Sequence, residues 1–380
     1  MSTVHSTTTM PLPNEDTDNS SVSDSRLSTT VCTSCHVSVA SNKFGDINRF
    51  RLKPGENLFD FEGSTASTQP LVSFLNHLFA SNVYRMFFAY TQVLQHDTHR
   101  CSTAFWKYGN HNRFSDIPCI EETRVHVKHS FEDHDYIHAN WVDGYREPKK
   151  FIITQAPLPH TTNQFWKMLW QEKCLVVVSM IQMFDVTGAE WTSTYIPKKT
   201  GETCKVEDIN LVHCGTRCVR ETYDATLIKV IYKEEERLLL HLCYFSWGYR
   251  GTPKNPTEVL NFISDINYNR ELLIKQAVGA GWLKPNESSP ITIHCLAGTA
   301  RSAMVTALDI CLRKLDDTAR RKCGPLVDVE DVVLRLRTQR AMAIQKPEQY
   351  LFIHLAVFEY AVRQGYIPDE MYKEIDLEGF

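Results

Sequence analysis

The motif with the most specific chemistry joins an apolar strand pattern at 291–295 to an apolar helical pattern at 303–315. The small residues between them would gather backbone N–H groups at the positive end of a helix dipole, which favours a phosphate dianion. Cys295 opens this loop, where the positive field favours the nucleophilic thiolate. Arg301 closes the loop and can hold two phosphate oxygens, and Ser302 can donate a hydrogen bond to the sulfur. The motif predicts phosphate chemistry at a cysteine.

The spacing between Cys295 and Arg301 has little specificity on its own. Cys214 and Arg220 repeat the same spacing, but no helical pattern follows them, so we interpret the second copy as a coincidence. The flanking strand and helix, rather than the spacing, therefore single out Cys295.

Residues 294–302 (His-Cys-Leu-Ala-Gly-Thr-Ala-Arg-Ser) resemble the signature loop of the cysteine-based protein tyrosine phosphatases of the receptor and non-receptor type. Other segments resemble this family in its usual order, across about residues 80–366 of the chain. They are 112–116, similar to the phosphotyrosine-recognition loop, then 136–145, 154–158 and 165–170, and finally 345–350, similar to the glutamine loop.

The resemblance implies an α/β fold: a single large phosphatase domain with a central twisted mixed β-sheet flanked by α-helices. The alternation of strand and helix patterns agrees with this class.

The resemblance also implies catalytic roles. Cys295 corresponds to the nucleophile and Arg301 to the phosphate clamp of the family. Ser302 would help to expel the thiolate in the second step, and Gln345 would position the hydrolytic water. This chemistry requires no cofactor and no metal.

Substrate-binding roles are implied in the same way, with phosphotyrosine-containing proteins as the partners. Asp116 would hold the backbone of the substrate peptide. Phe114 replaces the tyrosine that is usual in the family, and its ring can still stack on phosphotyrosine and set the pocket depth. The other implied substrate contacts are Leu296, Ala297, Gly298, Thr299, Ala300 and Gln349.

The general-acid loop departs from the family pattern, in which an Asp follows Trp-Pro. Trp247, Gly251 and Pro253 align this loop without a gap, and Tyr249 then occupies the position of the acid. A phenol, with an ordinary pKa of about 10, is a poor base for the hydrolysis step. The loop near 185–191 also lacks the lysine that supports the acid in the family.

Three functions remain open from the sequence. The preferred one is a phosphotyrosine-binding pseudophosphatase, because the phosphate loop is intact and the acid is replaced by Tyr249. The second is an active but slow phosphatase that works through a Cys295 phosphocysteine, because the nucleophile, clamp and water-positioning residue are all present. The third is an interaction scaffold that ignores phosphotyrosine, in which Arg301→Met would leave partner binding unchanged.

Composition and charge narrow the class of protein. Lys and Arg number 41 against 45 for Asp and Glu, so the net charge of −4 gives no support to non-specific nucleic-acid binding. No apolar stretch approaches the roughly 18 residues that a membrane span requires. No export-signal pattern opens the sequence, so we expect a soluble cytoplasmic protein whose twelve cysteines are mostly thiols. The oligomeric state is left open.

The domain organisation follows from shifts in composition. Residues 1–70 begin with a Ser/Thr-rich stretch without apolar periodicity, which predicts a disordered tail and linker. The phosphatase-like domain is predicted at 71–366, and a short acidic tail at 367–380. Cys32 and Cys35 form a lone pair with the spacing of zinc ligands, but no second pair lies nearby, so no metal site is expected.

Overall fold

The structure is a computed structural model that describes residues 69–80, 83–95, 102–128, 134–184, 188, 190–247, 251–253, 255–321 and 324–367. The predicted N-terminal tail lies outside these residues except for its last two positions. The predicted acidic tail lies outside them except for its first residue.

Strands and helices are interspersed along the described chain. The strands are β1 (Gln69–Pro70), β2 (Arg124–His126), β3 (Tyr136–Gly144), β4 (Glu147–Thr154), β5 (Val176–Ser179), β6 (Thr203–Val206), β7 (Ile209–Val219), β8 (Tyr223–Tyr232), β9 (Glu235–Tyr244), β10 (Ile291–His294) and β11 (Leu326–Val327). The helices are α1 (Leu71–Ala80), α2 (Val83–Gln95), α3 (Thr103–Lys107), α4 (Thr162–Gln171), α5 (Pro256–Gly279), α6 (Arg301–Ala319), α7 (Val329–Gln339) and α8 (Pro347–Arg363).

A mixed sheet of nine strands forms the centre of the described fold, in the order β2-β3-β4-β10-β5-β9-β8-β7-β6. Its four middle strands, β4, β10, β5 and β9, run parallel to one another, and antiparallel strands flank them. Parallel strands place their carboxyl ends at the same edge of a sheet, where ligands bind in open α/β folds. The loops that follow β4, β5, β9 and β10 therefore meet at one edge, although they are far apart in the sequence.

The two faces of the sheet bury separate apolar clusters, because successive side chains of a strand point to opposite faces. In β5, Val176 and Val178 join a cluster formed with α1, α2 and α5 to α8, whereas Val177 packs with α4 on the other face. The predicted single α/β domain with a mixed sheet flanked by helices is confirmed.

The predicted elements agree with the structure in type, with differences at their ends. The strand pattern at 291–295 forms β10, and the helical pattern at 303–315 lies within α6, which begins two residues earlier. Glu207 turns the chain at a φ of 53° between β6 and β7. Among the described helices, none is long and apolar enough to cross a membrane.

A buried ion pair joins the sheet to the helices behind it. The Nζ atom of Lys150 in β4 lies 2.5 Å from Oδ2 of Asp309 in α6, and both side chains are almost fully buried. Burial opposes ionisation of Asp309, but Lys150 and Arg313 outweigh it and hold the pKa of this carboxyl below its ordinary value. Asn267 of α5 also contacts both partners, so the pair links three elements.

We expect Lys150→Met to lower the free energy of unfolding by about 3–5 kcal/mol, because the Asp309 carboxylate stays buried without its main partner. Urea denaturation monitored by fluorescence would measure the change. Lys173→Met is the matched control, because the Lys173–Glu287 pair is partly exposed and should contribute less than about 1 kcal/mol. Equal losses in both variants would contradict this account of the buried pair.

Candidate phosphate-binding site

The predicted phosphate loop lies at the sheet edge where the parallel strands end. Cys295 directly follows β10, and Arg301 is the first residue of α6. The loop is therefore held between the central strand and a helix N-terminus, as the sequence predicted. The parallel neighbours β4 and β5 bring Thr154 and Ser179 beside His294, which ends β10.

Four successive carbonyl groups of this loop, from Leu296 to Thr299, point outward and accept hydrogen bonds from the surrounding protein. The donors are the Ala156 N–H for Leu296 (2.9 Å), Arg340 Nη2 for Ala297 (2.8 Å), Arg340 Nε for Gly298 (3.1 Å) and the Ile344 N–H for Thr299 (2.8 Å). In a trans peptide the carbonyl and the following N–H point in opposite directions. The N–H groups of residues 297–300 are therefore turned inward, and they form the cradle for an anion.

The sulfur of Cys295 lies on the inner side of this cradle. The Gly298 N–H donates to Sγ at 3.3 Å, so this loop amide faces the sulfur. Oγ of Ser302 lies 3.4 Å from the same sulfur. Cys295 is 2 % exposed and Ser302 is fully buried, so both lie in a place that excludes most water. Donors at these positions can stabilise a thiolate when it forms or leaves.

Gly298 is required by the close approach of the loop to β4. Its φ of +75° is in the left-handed region, which disfavours side chains. A Cβ atom at this position would lie 2.4 Å from the Thr154 carbonyl oxygen, a contact that the backbone cannot relieve cheaply. The glycine therefore lets the cradle pack directly on the neighbouring strand.

Arg340 is the main support of the cradle, and sequence reasoning did not identify it. The side chain is fully buried and, besides the two loop carbonyls, contacts Asn140 Oδ1 at 2.7 Å and His138 Nδ1 at 3.1 Å. Burial lowers the pKa of His138 to about 3, so its neutral ring accepts from Arg340 and donates through Nε2 to the Ile117 carbonyl. The family-like block 136–145 contains two of these partners, His138 and Asn140, but nothing in its pattern pointed to an arginine far along the chain.

His294 is held from behind by a buried chain of hydrogen bonds. Nδ1 lies 3.2 Å from the Cys295 carbonyl oxygen, and Nε2 lies 2.6 Å from the Tyr195 hydroxyl. The same hydroxyl lies 2.7 Å from Nε2 of His241. Burial lowers the pKa of His294 to about 4 and that of His241 to about 3, so both rings are neutral near pH 7. Because the Cys295 carbonyl can only accept, the His294 proton lies on Nδ1 and Nε2 accepts from the Tyr195 hydroxyl, whose oxygen in turn accepts from Nε2–H of His241.

Arg301 extends from the start of α6 towards the loops that follow β5 and β9. Its Nη1 donates to the Met180 carbonyl at 3.2 Å, and its guanidinium carbon lies 5.9 Å from the ring centroid of Trp247. Trp247 is buried and donates through Nε1 to the Gly251 carbonyl at 3.1 Å, which fixes the two ends of the general-acid loop. Tyr249 itself lies outside the described residues.

The predicted phosphotyrosine-recognition loop is tied to the cradle through Gln155. Its Oε1 accepts from the Arg113 N–H at 2.8 Å, and the next residue is Ala156, which anchors the Leu296 carbonyl. Phe114 is half-buried and Asp116 is exposed, so both side chains are accessible to a ligand.

The predicted glutamine loop also touches the cradle, through Ile344. Gln345 follows this residue and is half-buried. Gln349 uses its side-chain oxygen within the loop, where it accepts from the backbone N–H groups of Gln345 (2.9 Å) and Lys346 (3.3 Å). This contact orders the start of α8; a contact of Gln349 with substrate stays a prediction.

We expect Arg340→Met to weaken the binding of a phosphotyrosyl peptide by at least about tenfold, because two loop carbonyls lose their donors. Isothermal titration calorimetry measures the binding, and urea denaturation measures the accompanying loss of stability. Arg335→Met is the matched control: Arg335 is equally buried but pairs with Asp331 in α7. Equal binding losses in the two variants would show that Arg340 acts only through global stability.

Comparisons of the sequence with known proteins identify its relatives. The sequence profile of the family described as Protein-tyrosine phosphatase matches residues 109–359. The mouse tyrosine-protein phosphatase non-receptor type 9 is 32% identical over 261 residues, which are 68% of this chain and 42% of the relative. The Caenorhabditis elegans tyrosine-protein phosphatase Lar-like is 31% identical over 67% of this chain and 11% of its own length.

A viral relative is matched over more of its length. The probable tyrosine phosphatase protein N1 of Microplitis demolitor bracovirus is 33% identical over 245 residues, which are 64% of this chain and 73% of the relative. By contrast, the matched segment spans about two fifths of the mammalian type 9 relatives. Together with the cradle around Cys295, these similarities show that the chain belongs to the protein-tyrosine phosphatase family.

Proposed function

We propose that this chain binds phosphotyrosine-containing proteins at the Cys295–Ser302 loop and turns them over slowly or not at all. The observation that carries the proposal is the outward anchoring of the four loop carbonyls, which turns the amides of 297–300 towards Cys295. This arrangement offers a phosphate several N–H donors and the positive end of α6. Arg301 adds a charged fork at the end of the loop.

Binding and turnover place different demands on the site. Binding needs the cradle and the clamp, whereas cleavage also needs a proton for the leaving tyrosyl oxygen. Tyr249 stands where the family has its acid. Loss of a positioned general acid costs about 10²–10⁴ in rate, while the ground-state contacts with phosphate remain. The replacement therefore favours binding without cleavage.

A slow phosphatase is the second candidate, and the position of Ser302 favours it. In this reaction Cys295 Sγ attacks phosphorus and the P–O bond to tyrosine breaks, so that the tyrosyl oxygen leaves and takes a proton from solvent. Water, positioned by Gln345, then attacks the phosphocysteine and gives its proton to solvent; the S–P bond breaks, inorganic phosphate is released and the thiolate departs. Ser302 Oγ, 3.4 Å from the sulfur, is suitably placed to stabilise that departing thiolate.

We further propose that the chain acts in cytoplasmic signalling, where proteins phosphorylated on tyrosine are its partners. Two supports are the sequence composition and the non-receptor class in the names of the mammalian relatives. The eight cysteines that the structure describes are free thiols, which fits a reducing compartment.

The proposal predicts that a phosphotyrosyl peptide binds the purified chain, whereas its unphosphorylated counterpart does not. Arg301→Met should weaken this binding by about a hundredfold, because a charged bidentate donor is lost. Calorimetry measures the affinity, and phosphate release is followed on the same samples. Cys214 and Arg220 repeat the spacing of the site but lie in and after β7, where Arg220 pairs with Asp265. Arg220→Met is therefore the matched control and should bind normally.

Phosphate release separates the two candidates. Release at the level of Cys295→Ser, together with a gain of at least about tenfold in Tyr249→Asp, supports the impaired binder. Release well above the Cys295→Ser level would favour the slow phosphatase, with Cys214→Ser as the neutral control. Phosphopeptide binding that is equal in the native chain and in Arg301→Met would contradict both the binder and the phosphatase. It would instead support the interaction scaffold that ignores phosphotyrosine.

A further inference from the structure

Ile344, a β-branched residue beside the phosphate loop, has a positive φ angle. Its φ is +60°, in the left-handed region, and its side chain is fully buried. A β-branched residue rarely adopts this region, and it persists there only when its surroundings hold it. Ile344 directly precedes Gln345, so the strained position lies at the start of the glutamine loop.

Contacts on both sides of Ile344 hold this conformation. Its N–H donates to the Thr299 carbonyl at 2.8 Å. Its carbonyl accepts from the Tyr90 hydroxyl at 2.7 Å and from Arg337 Nη1 at 3.2 Å. Ile344 thus bonds to the cradle through its N–H group and to helices α2 and α7 through its carbonyl.

The Tyr90 contact comes from a helix outside the segment that the family profile matches. Tyr90 lies in α2, whereas the match begins at residue 109. The Tyr90 side chain is buried and packs on Tyr350 of α8, with ring centroids 5.8 Å apart. The position of its hydroxyl is therefore fixed by the packing of α2.

The Thr299 peptide transmits this contact to the ligand side of the loop. The Thr299 carbonyl faces Ile344, so the N–H of Ala300 in the same peptide plane faces the cradle. If Ile344 relaxed towards an ordinary negative φ, its N–H would turn away from Thr299. The last inward amide of the cradle would then lose its restraint.

We propose that Tyr90 is a positioning residue of the phosphate cradle. Its hydroxyl holds Ile344 in the left-handed conformation, and Ile344 in turn holds the Thr299 peptide and the beginning of the glutamine loop. Helix α2 is thus part of the functional unit. The consequence for ligand affinity rests on the proposed phosphotyrosine binding, whereas the effect on the loop itself does not.

Hydrogen exchange measured by NMR on the full chain tests the effect on the loop. In Tyr90→Phe we expect the amide of Ile344 to exchange about tenfold faster than the change in global stability explains, because only the hydroxyl contact is removed. The affinity for a phosphotyrosyl peptide should fall about fivefold, the usual consequence of losing one hydrogen bond.

Tyr223→Phe is the matched control. Tyr223 is also a buried tyrosine, but its hydroxyl donates to Asp265 at 2.9 Å, and Asp265 lies in α5. This variant should change neither the Ile344 exchange nor the affinity beyond its effect on stability. Unchanged Ile344 exchange in Tyr90→Phe would overturn the proposal. If the native chain bound no phosphopeptide, the proposed function would fail, and the exchange result alone would decide the role of Tyr90.

Discussion

The site depends on one constraint: the carbonyl groups of residues 296–299 must all point away from Cys295. Each peptide unit has a fixed planar geometry, so anchoring a carbonyl on the outside turns an amide to the inside. The Ala156 amide, Arg340 and the Ile344 amide supply the anchors. These groups bond only to the outer side of the loop, yet they convert a loop of small residues into a set of convergent N–H donors.

The fold explains how donors from distant parts of the sequence reach one loop. Strand β10 is central and parallel to β4 and β5, so the residues that follow these strands meet at one edge. Ala156 follows β4, and Arg340 and Ile344 lie in the turn between α7 and α8, which pack on α6. The same packing brings α2 to the turn, which explains why the N-terminal helices matter to a site built from later residues.

The nature of the fold and the identity of the loop were predictable from the sequence, because periodicity and the 294–302 motif are local features. Sequence reasoning also placed Ser302 beside Cys295, since a short loop of small residues joins the strand to the helix start. It missed Arg340, Tyr195 and Tyr90, whose roles come from tertiary packing between distant segments. The strained conformation of Ile344 was equally invisible, because an isoleucine in a sequence gives no sign of a positive φ.

The proposed function separates anion binding from proton transfer: the loop amides around Cys295 are held in place, whereas Tyr249 stands at the acid position only by resemblance to the family sequence pattern. The most direct test is an NMR titration of the nitrogen-15-labelled chain with phosphotyrosine. The account predicts saturable shifts of the amides of residues 297–300, with the ligand largely intact at the end of the titration. Unshifted amides in this loop at millimolar phosphotyrosine, or rapid appearance of free phosphate, would contradict it.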